Sequence, residues 1–556
     1  MADRSPYPVS DQDLVGAQAV DGAASARAAV LDDAHTGDIV GALGKIGSHD
    51  LPPRHPWTKR LLALLAIMGP GLIVMVGDND AGGVATYAQA GQNYGTTLLW
   101  TLPLLVAVLV VAQEMVVRLG AVTGVGHGRL IKERFGKLWA GFSVVDLLIL
   151  NLATLVTEFI GVSLALSYFG VSPFVSVPIA AAGLVLMTVS GSFRRWERFM
   201  YVFIATSLLV FPLALMSHPH WGQVGRGLVV PGVSGGLDPA AVLFVIAIVG
   251  TTVAPWQLFF QQSNIVDKRI TPRWVNFERT DTTIGAFLTN IAAAGFMVAA
   301  AFAFAGTHYA GQFTNALGVA RGMAHEIGPV AGAIFAVLLL DASIIGAAAV
   351  TLSTSYAVSD VMGAKHSLHR PWREAKAFYG SFAAMVVVSA AVVLIPHAPL
   401  GLITEGVQAL AGVLLPSAIV FLLLLCNDAD VLGPWVNPRW LNAVAVLIVA
   451  VLVDLSIILM VSTMFPNLDV VASSEVLGAA TVVALVVSGL GSLRRGARAP
   501  HPERAHRDRW SMPRLALLDP PVWSVGRKAG MWVLRGYIVL AVALLAVKTV
   551  TVGLGH

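Results

Sequence analysis

Residues 69–92 read GPGLIVMVGDNDAGGVATYAQAGQ. This apolar helical run carries two carboxylates and an amide at Asp78, Asn79 and Asp80, followed by the glycine pair Gly82 and Gly83. An uninterrupted apolar helix satisfies its own backbone hydrogen bonds. Irregular backbone at membrane depth persists only where protein or a water-filled cavity covers it. Charged side chains within a span are costly, and they face a cavity or an ion path. A broken helix with carboxylates is therefore a candidate cation site. The simpler reading is a kinked helix whose Asp residues cap its second half.

Composition points to a polytopic membrane protein: 56% of the 556 residues are hydrophobic, 12% are charged, and mean hydropathy is +0.75. The single Cys426 excludes an intramolecular disulfide and leaves no cysteine cluster for a soft metal. The net charge of +4 reflects where Lys and Arg sit and is not a nucleic-acid signal. There is no Walker motif, no Gly-x-Ser-x-Gly and no HExxH, so neither ATP hydrolysis nor a hydrolase centre is supported. No cofactor and no obligatory protein partner is expected.

Residues 1–56 mix Asp, Ser, Ala and Gly without periodicity and lack the apolar core of a signal peptide, which predicts a flexible cytoplasmic tail. Thirteen candidate spans of about 20 residues follow, near 61–92, 96–118, 138–169, 173–192, 198–217, 239–265, 282–305, 328–360, 374–396, 401–426, 439–464, 473–493 and 530–553. The loops after the second, fourth, sixth, eighth and twelfth spans are basic, as in Arg194/Arg195/Arg198, Lys268/Arg269/Arg273/Arg279 and Lys365/Arg370/Arg373/Lys376, whereas 306–327 is poor in Lys and Arg. The positive-inside rule then puts the N-terminus in the cytoplasm of a multi-pass protein in the cell membrane.

The sixth span, AVLFVIAIVGTTVAPWQLFFQQSNIVDK, is interrupted as well. Gly250, Thr251, Thr252 and Pro255 break it, and Gln257, Gln261 and Gln262 follow. Pro255 lacks a backbone donor and frees the Thr251 carbonyl. Taken alone this is a proline kink. Interruptions in the first and sixth spans together fit an inverted five-plus-five repeat whose breaks meet at a substrate site.

These residues resemble the natural-resistance-associated macrophage proteins (NRAMP), divalent-metal transporters of the LeuT-like fold. Asp80-Ala81-Gly82-Gly83 stands where that family has Asp-Pro-Gly-Asn after Gly-Pro-Gly, here 69–71. Gln113 with Arg118-Leu119-Gly120 and Val122-Thr123-Gly124 is similar to the family's QxxxxRLGxVTG, and Glu158-Phe159-Ile160-Gly161 to its Glu-Val-Ile-Gly. Gln408 with Pro416 resembles the tenth-span metal-binding Gln. The resemblance implies an all-α LeuT-like core over 57–426, with additional C-terminal spans over 427–556 and a basic loop near 494–528.

The departures bear on the ion. The family's sixth-span Met-Pro-His-Asn is Ala254-Pro255-Trp256-Gln257 here, its first-span Asn is Gly83, and the proton-accepting Asp before the third-span Glu is Leu155. A thioether favours transition metals, whereas oxygen-only sites suit hard ions. Mg²⁺ keeps several waters and binds through one or two carboxylates. The sequence thus resembles the NRAMP-related magnesium transporters and implies Mg²⁺ uptake, as a hydrated or partly hydrated ion, without proton coupling. In that reading Asp80 anchors the ion, Gly83 and Thr251 offer backbone carbonyls, Ala254 sets the space, and Gln257 and Gln408 bind the ion or its waters. Asp78, Glu158, Gln261 and Glu405 are candidates for the ion path. The alternative is a proton-coupled Mn²⁺/Fe²⁺ transporter. A more distant one is an intramembrane enzyme using paired aspartates, in which the break at 250–255 would have no role.

Overall fold

The structure is a computed structural model that describes residues 33–53, 55–236, 239–396, 400–465 and 468–494, with isolated positions beyond. The first span is three helices, α1 (Trp57–Ile67), α2 (Pro70–Val76) and α3 (Ala81–Tyr94). Next come α4 (Thr101–Thr123), α5 (His127–Phe135), α6 (Lys137–Tyr168), α7 (Pro173–Thr188), α8 (Phe193–Ser207), α9 (Val210–Met216) and α10 (Trp221–Val229). The sixth span is α11 (Pro239–Thr252) and α12 (Pro255–Asp267). After it come α13 (Val275–Phe304), α14 (Ala316–Glu326), α15 (Pro329–Met362), α16 (Lys376–Val393), α17 (Leu400–Cys426), α18 (Ala429–Leu432), α19 (Arg439–Met464) and α20 (Val470–Arg494).

Among the described residues nine helical segments are long and apolar enough to cross a membrane, and α1 with α2, bent by 58°, makes a tenth. The fourth expected span is the 16-residue helix α7, short of the roughly 20 residues that cross a bilayer upright. The span expected near 530–553 lies outside the described residues apart from isolated positions.

The interruptions expected at 78–83 and 250–255 are present as non-helical residues 77–80 and 253–254, and a further bend that the sequence reading did not anticipate lies between α1 and α2. Gly69 turns with φ 148° and Pro70 opens α2, a position at which its missing N–H costs nothing. A side chain at Gly69 would run into the Glu197 carboxylate. The orphan N–H groups at the start of α2 are met by one carboxylate oxygen, Asp281 Oδ2, which accepts from Gly69 (3.0 Å), Gly71 (2.8 Å) and Leu72 (3.2 Å). α13, which carries Asp281, runs along both α2 and α3 and splints the broken span. Its Thr289 hydroxyl donates to the Met75 carbonyl, and Asn79 Nδ2 donates to the Thr289 carbonyl at 2.9 Å.

The segment before Trp57 departs from the expected flexible tail. Residues 1–32 lie outside the described residues, but Ile39–Val40 (β1) and Lys45–Ile46 (β2) form a hairpin in which Ile39 pairs with Ile46. Ile39, Ala42 and Ile46 are buried. The Ala42 N–H donates to the Glu197 carboxylate, and Arg269 Nε donates to the Ala34 carbonyl at 2.9 Å. Beneath the hairpin, Lys268 Nζ binds the carbonyls of Ile67 (2.7 Å) and Met68 (2.5 Å) and Glu197 Oε1 (2.6 Å). Composition hid this because a short apolar hairpin gains its burial from residues over 150 positions away.

Candidate metal-ion site

The first break leaves residues 77–80 outside any helix, between α2 and α3. Asp80 is the N-cap of α3, and its Oδ1 accepts from Gly83 N at 2.7 Å. The capping reading and the ion reading therefore apply to the same residue, since a carboxylate that caps through one oxygen keeps charge for a ligand. Asp78, two residues earlier in the unwound turn, is buried with it.

Gln257, in the first turn of α12, joins the two breaks. Its Nε2 donates to Asp78 Oδ1, and its Oε1 accepts from Gln113 Nε2 of α4 at 3.2 Å. The structure thus brings Asp78 to the site, and it adds Gln113, which the sequence marked only as part of a motif.

Thr251 brings a hydroxyl as well as the carbonyl that Pro255, four residues on, leaves without a helical donor. It lies within α11, and its hydroxyl stands 3.1 Å from where a Cβ on Gly83 would be, with the Asp78 carbonyl at 3.2 Å and Asp80 Oδ1 at 3.4 Å. Gly83 itself sits in the first turn of α3, so its carbonyl belongs to the helix ladder. The expectation that Gly83 supplies a carbonyl is corrected: the backbone oxygen that approaches is that of Asp78. Gln408 of α17 reaches over the same turn so closely that a Cβ on Gly82 would collide with its amide nitrogen. Ala254 caps α12 in an extended conformation and, with no side chain beyond Cβ, brings no donor.

Buried polar atoms are normally satisfied, so those without a partner need a reason. At this junction Asp78 Oδ2, Thr251 Oγ1, Gln113 Oε1 and Gln408 Nε2 are buried and unpartnered. Three are oxygens, and the Gln408 amide presents its own oxygen by rotating about its last bond. Such a set suits a cation held by oxygen atoms and water. Among the described residues no three His, Cys, Asp or Glu side chains converge as a ready metal cage, so any ion here depends on amide, hydroxyl and carbonyl oxygens beside the carboxylates.

Glu158 lies behind the site. Its Oε2 accepts from Ala81 N at 3.1 Å while Oε1 has no partner. Leu155 is fully buried one turn before it. Trp256 is also buried, and its ring edge comes within 3.5 Å of where a Cβ on Gly77 would stand, so the indole fills space under the break. Gln261 is one turn further along α12 and donates to Thr282 Oγ1 at 2.7 Å. Glu405 falls on α17, and its side chain lies outside the described residues. A narrow cleft lined by Ala81, Thr86, Gly161, Phe313 and Asn315 leads toward α3 from the end that holds the Lys- and Arg-poor segment 306–327. The opposite, basic end is covered by the hairpin and Lys268.

A family model described as "Natural resistance-associated macrophage protein-like" matches residues 71–462. The divalent metal cation transporter MntH of Xylella fastidiosa (strain Temecula1 / ATCC 700964) is 30% identical over 428 residues, covering 73% of this chain and 86% of that protein. MntH of Bacillus subtilis (strain 168) is 27% identical over 428 residues, covering 72% and 93%. A crystal structure of the Eremococcus coleocola manganese transporter, in complex with an aromatic bis-isothiourea substituted compound, superposes with a TM-score of 0.62. That likeness has 22% identity and covers 84% of this chain and 99% of that one, which speaks for the fold.

Proposed function

Because the chain belongs to the natural resistance-associated macrophage protein-like family, we propose that it is a multi-pass transporter of divalent metal cations, with Mn²⁺ as its cargo. The observation that carries this is the group of buried, unpartnered oxygens at the junction of two broken helices, beside Asp78 and Asp80. A divalent ion there neutralises two carboxylates that no cationic side chain among the described residues meets, which offsets the cost of burying them.

The ion is reassigned from the sequence expectation. Loss of the thioether at Ala254 favoured Mg²⁺, but the relatives are described as divalent metal cation transporters and, in one crystal structure, as a manganese transporter. The donor set agrees with that change, since carboxylate, carbonyl and water ligands suit Mn²⁺ as well as Mg²⁺. Mg²⁺ remains the second reading, favoured by the absence of any sulfur at the site.

In the proposed cycle the ion approaches through the cleft at Thr86 and Gly161 and sheds part of its hydration as Asp80 and Asp78 replace water. It leaves toward the basic end, which the distribution of Lys and Arg assigns to the cytoplasm together with the N-terminus. The test is flux of Mn²⁺ and of Mg²⁺ into proteoliposomes of purified protein. Saturable Mn²⁺ entry that exceeds Mg²⁺ entry is expected. Entry of Mg²⁺ alone would select the second reading, and entry of neither would refute the function.

A further inference from the structure

α13 begins with two carboxylates on one face, Glu278 and Asp281, three residues apart. Both are fully buried. Asp281 spends one oxygen on the N-terminus of α2, but its Oδ1 and both oxygens of Glu278 have no hydrogen-bond partner. The neighbouring cations make their hydrogen bonds elsewhere, and Lys268 reaches the two carboxylates only through its field. Lys268 is held by Glu197 and two carbonyls, and Arg279 is paired with Glu114 at 2.5 Å. Gln261, anchored to Thr282 beside Asp281, adds another fully buried oxygen, Oε1, without a partner. Four orphan oxygens in a water-poor place, two of their side chains acidic, form an arrangement that a cation completes.

Its position supplies a purpose. Gln257 and Gln261 lie four residues apart on α12, one above the other on the same face. Gln257 holds Asp78 at the break, and Gln261 stands one turn nearer the basic end. We propose that Glu278, Asp281 and Gln261 form a second divalent-cation site, occupied by the cargo after it leaves Asp78 and Asp80 and before it passes Lys268. Two carboxylates, an amide and water match the habits of Mn²⁺ and Mg²⁺. The inference rests on the transport reading above. It gives a passing ion oxygen ligands between Asp78/Asp80 and Lys268, so release from the first site need not face bare apolar surface.

The test is Mn²⁺ binding to the purified full chain, counted by loss of the free-ion electron paramagnetic resonance signal, alongside Mn²⁺ flux. Wild type is expected to bind two ions per chain and Asp80→Asn one, with binding lost when Glu278→Gln is added to Asp80→Asn. Glu278→Gln alone should keep the first ion and slow flux about tenfold, and Glu278→Asp, which keeps the charge, should recover most of it. Asp281 is left intact because it caps α2. One ion per chain in wild type, abolished by Asp80→Asn, would overturn the second site while leaving the transport reading in place. So would two ions unaffected by Glu278→Gln. Absence of flux in wild type would instead strike the transport reading.

Discussion

Gln257 of one interrupted helix donates its side-chain amide to the Asp78 carboxylate of the other. The two breaks are therefore joined by a neutral donor that leaves the charge of Asp78 uncompensated. Replacing Gln257 by Leu should free Asp78 from that geometry and also strand Gln113. Gln257→Leu is expected to weaken Mn²⁺ binding about tenfold, roughly 1.4 kcal/mol, by titration of the purified protein. Unchanged affinity would mean that the Gln113–Gln257–Asp78 chain does not shape the site.

Asp80 serves as both cap and charge, and the two can be separated. Asn is as good an N-cap as Asp, so Asp80→Asn should fold and melt like wild type while transport falls by about a hundredfold or more. Asp80→Ala should lose the cap too, at a cost of ~1 kcal/mol of stability. Equal flux in Asp80→Asn and wild type would place the ion elsewhere.

Two glycines should fail in different ways. A methyl on Gly82 meets the movable amide of Gln408, whereas one on Gly250 meets the Gln408 carbonyl and the Gly412 nitrogen, both backbone. Gly82→Ala is expected to reduce flux in a stable protein. Gly250→Ala should instead lose about 1–3 kcal/mol through overpacking between α11 and α17. Thermal unfolding in detergent, read beside flux, distinguishes the two patterns.

Selectivity should respond to sulfur at Ala254. Ala254→Met adds a soft ligand and is expected to raise preference for Cd²⁺ over Mg²⁺ by about tenfold in competition flux. Adding Gly83→Asn is more disruptive, because its Cβ already stands 3.1 Å from Thr251 Oγ1 and 3.4 Å from Asp80 Oδ1. A single Ala254→Met with wild-type preference would remove residue 254 from the account of selectivity.

Metal entry is expected to leave lumenal pH unchanged, because Leu155 and Trp256 cannot ionise. Glu158, the carboxyl behind the site, is partly engaged with the Ala81 N–H. A pH dye trapped in Mn²⁺-transporting liposomes checks this. Metal-dependent acidification that vanishes in Glu158→Gln would establish coupling through that residue.

The broken spans were legible because glycine, proline and carboxylates are rare in apolar runs and each changes what the backbone can do. Asp80 and Gln257 stand at those interruptions, and Gln408 is named through the family resemblance. The direction of each group was not legible. Gly83 is expected to give a carbonyl that the helix instead uses, and the Thr251 hydroxyl, unlike the carbonyl that Pro255 leaves without a donor, has no signature in the sequence. Thr289 was missed altogether, since a threonine in an apolar helix gives no local sign that its hydroxyl will hold Met75 more than 200 residues away.

The hairpin at 39–46 lies on the same side chains that hold the bend between α1 and α2. Glu197 accepts from Ala42 and from Lys268, and Lys268 grips the carbonyls of Ile67 and Met68. A swing of α1 away from α12 must break the Lys268 bonds to Ile67 and Met68, and Lys268 in turn shares Glu197 with the hairpin. The bend and the hairpin are thus tied through one carboxylate, Glu197, which acts as a latch between them. A chain begun at Trp57 would keep every span and lose the latch.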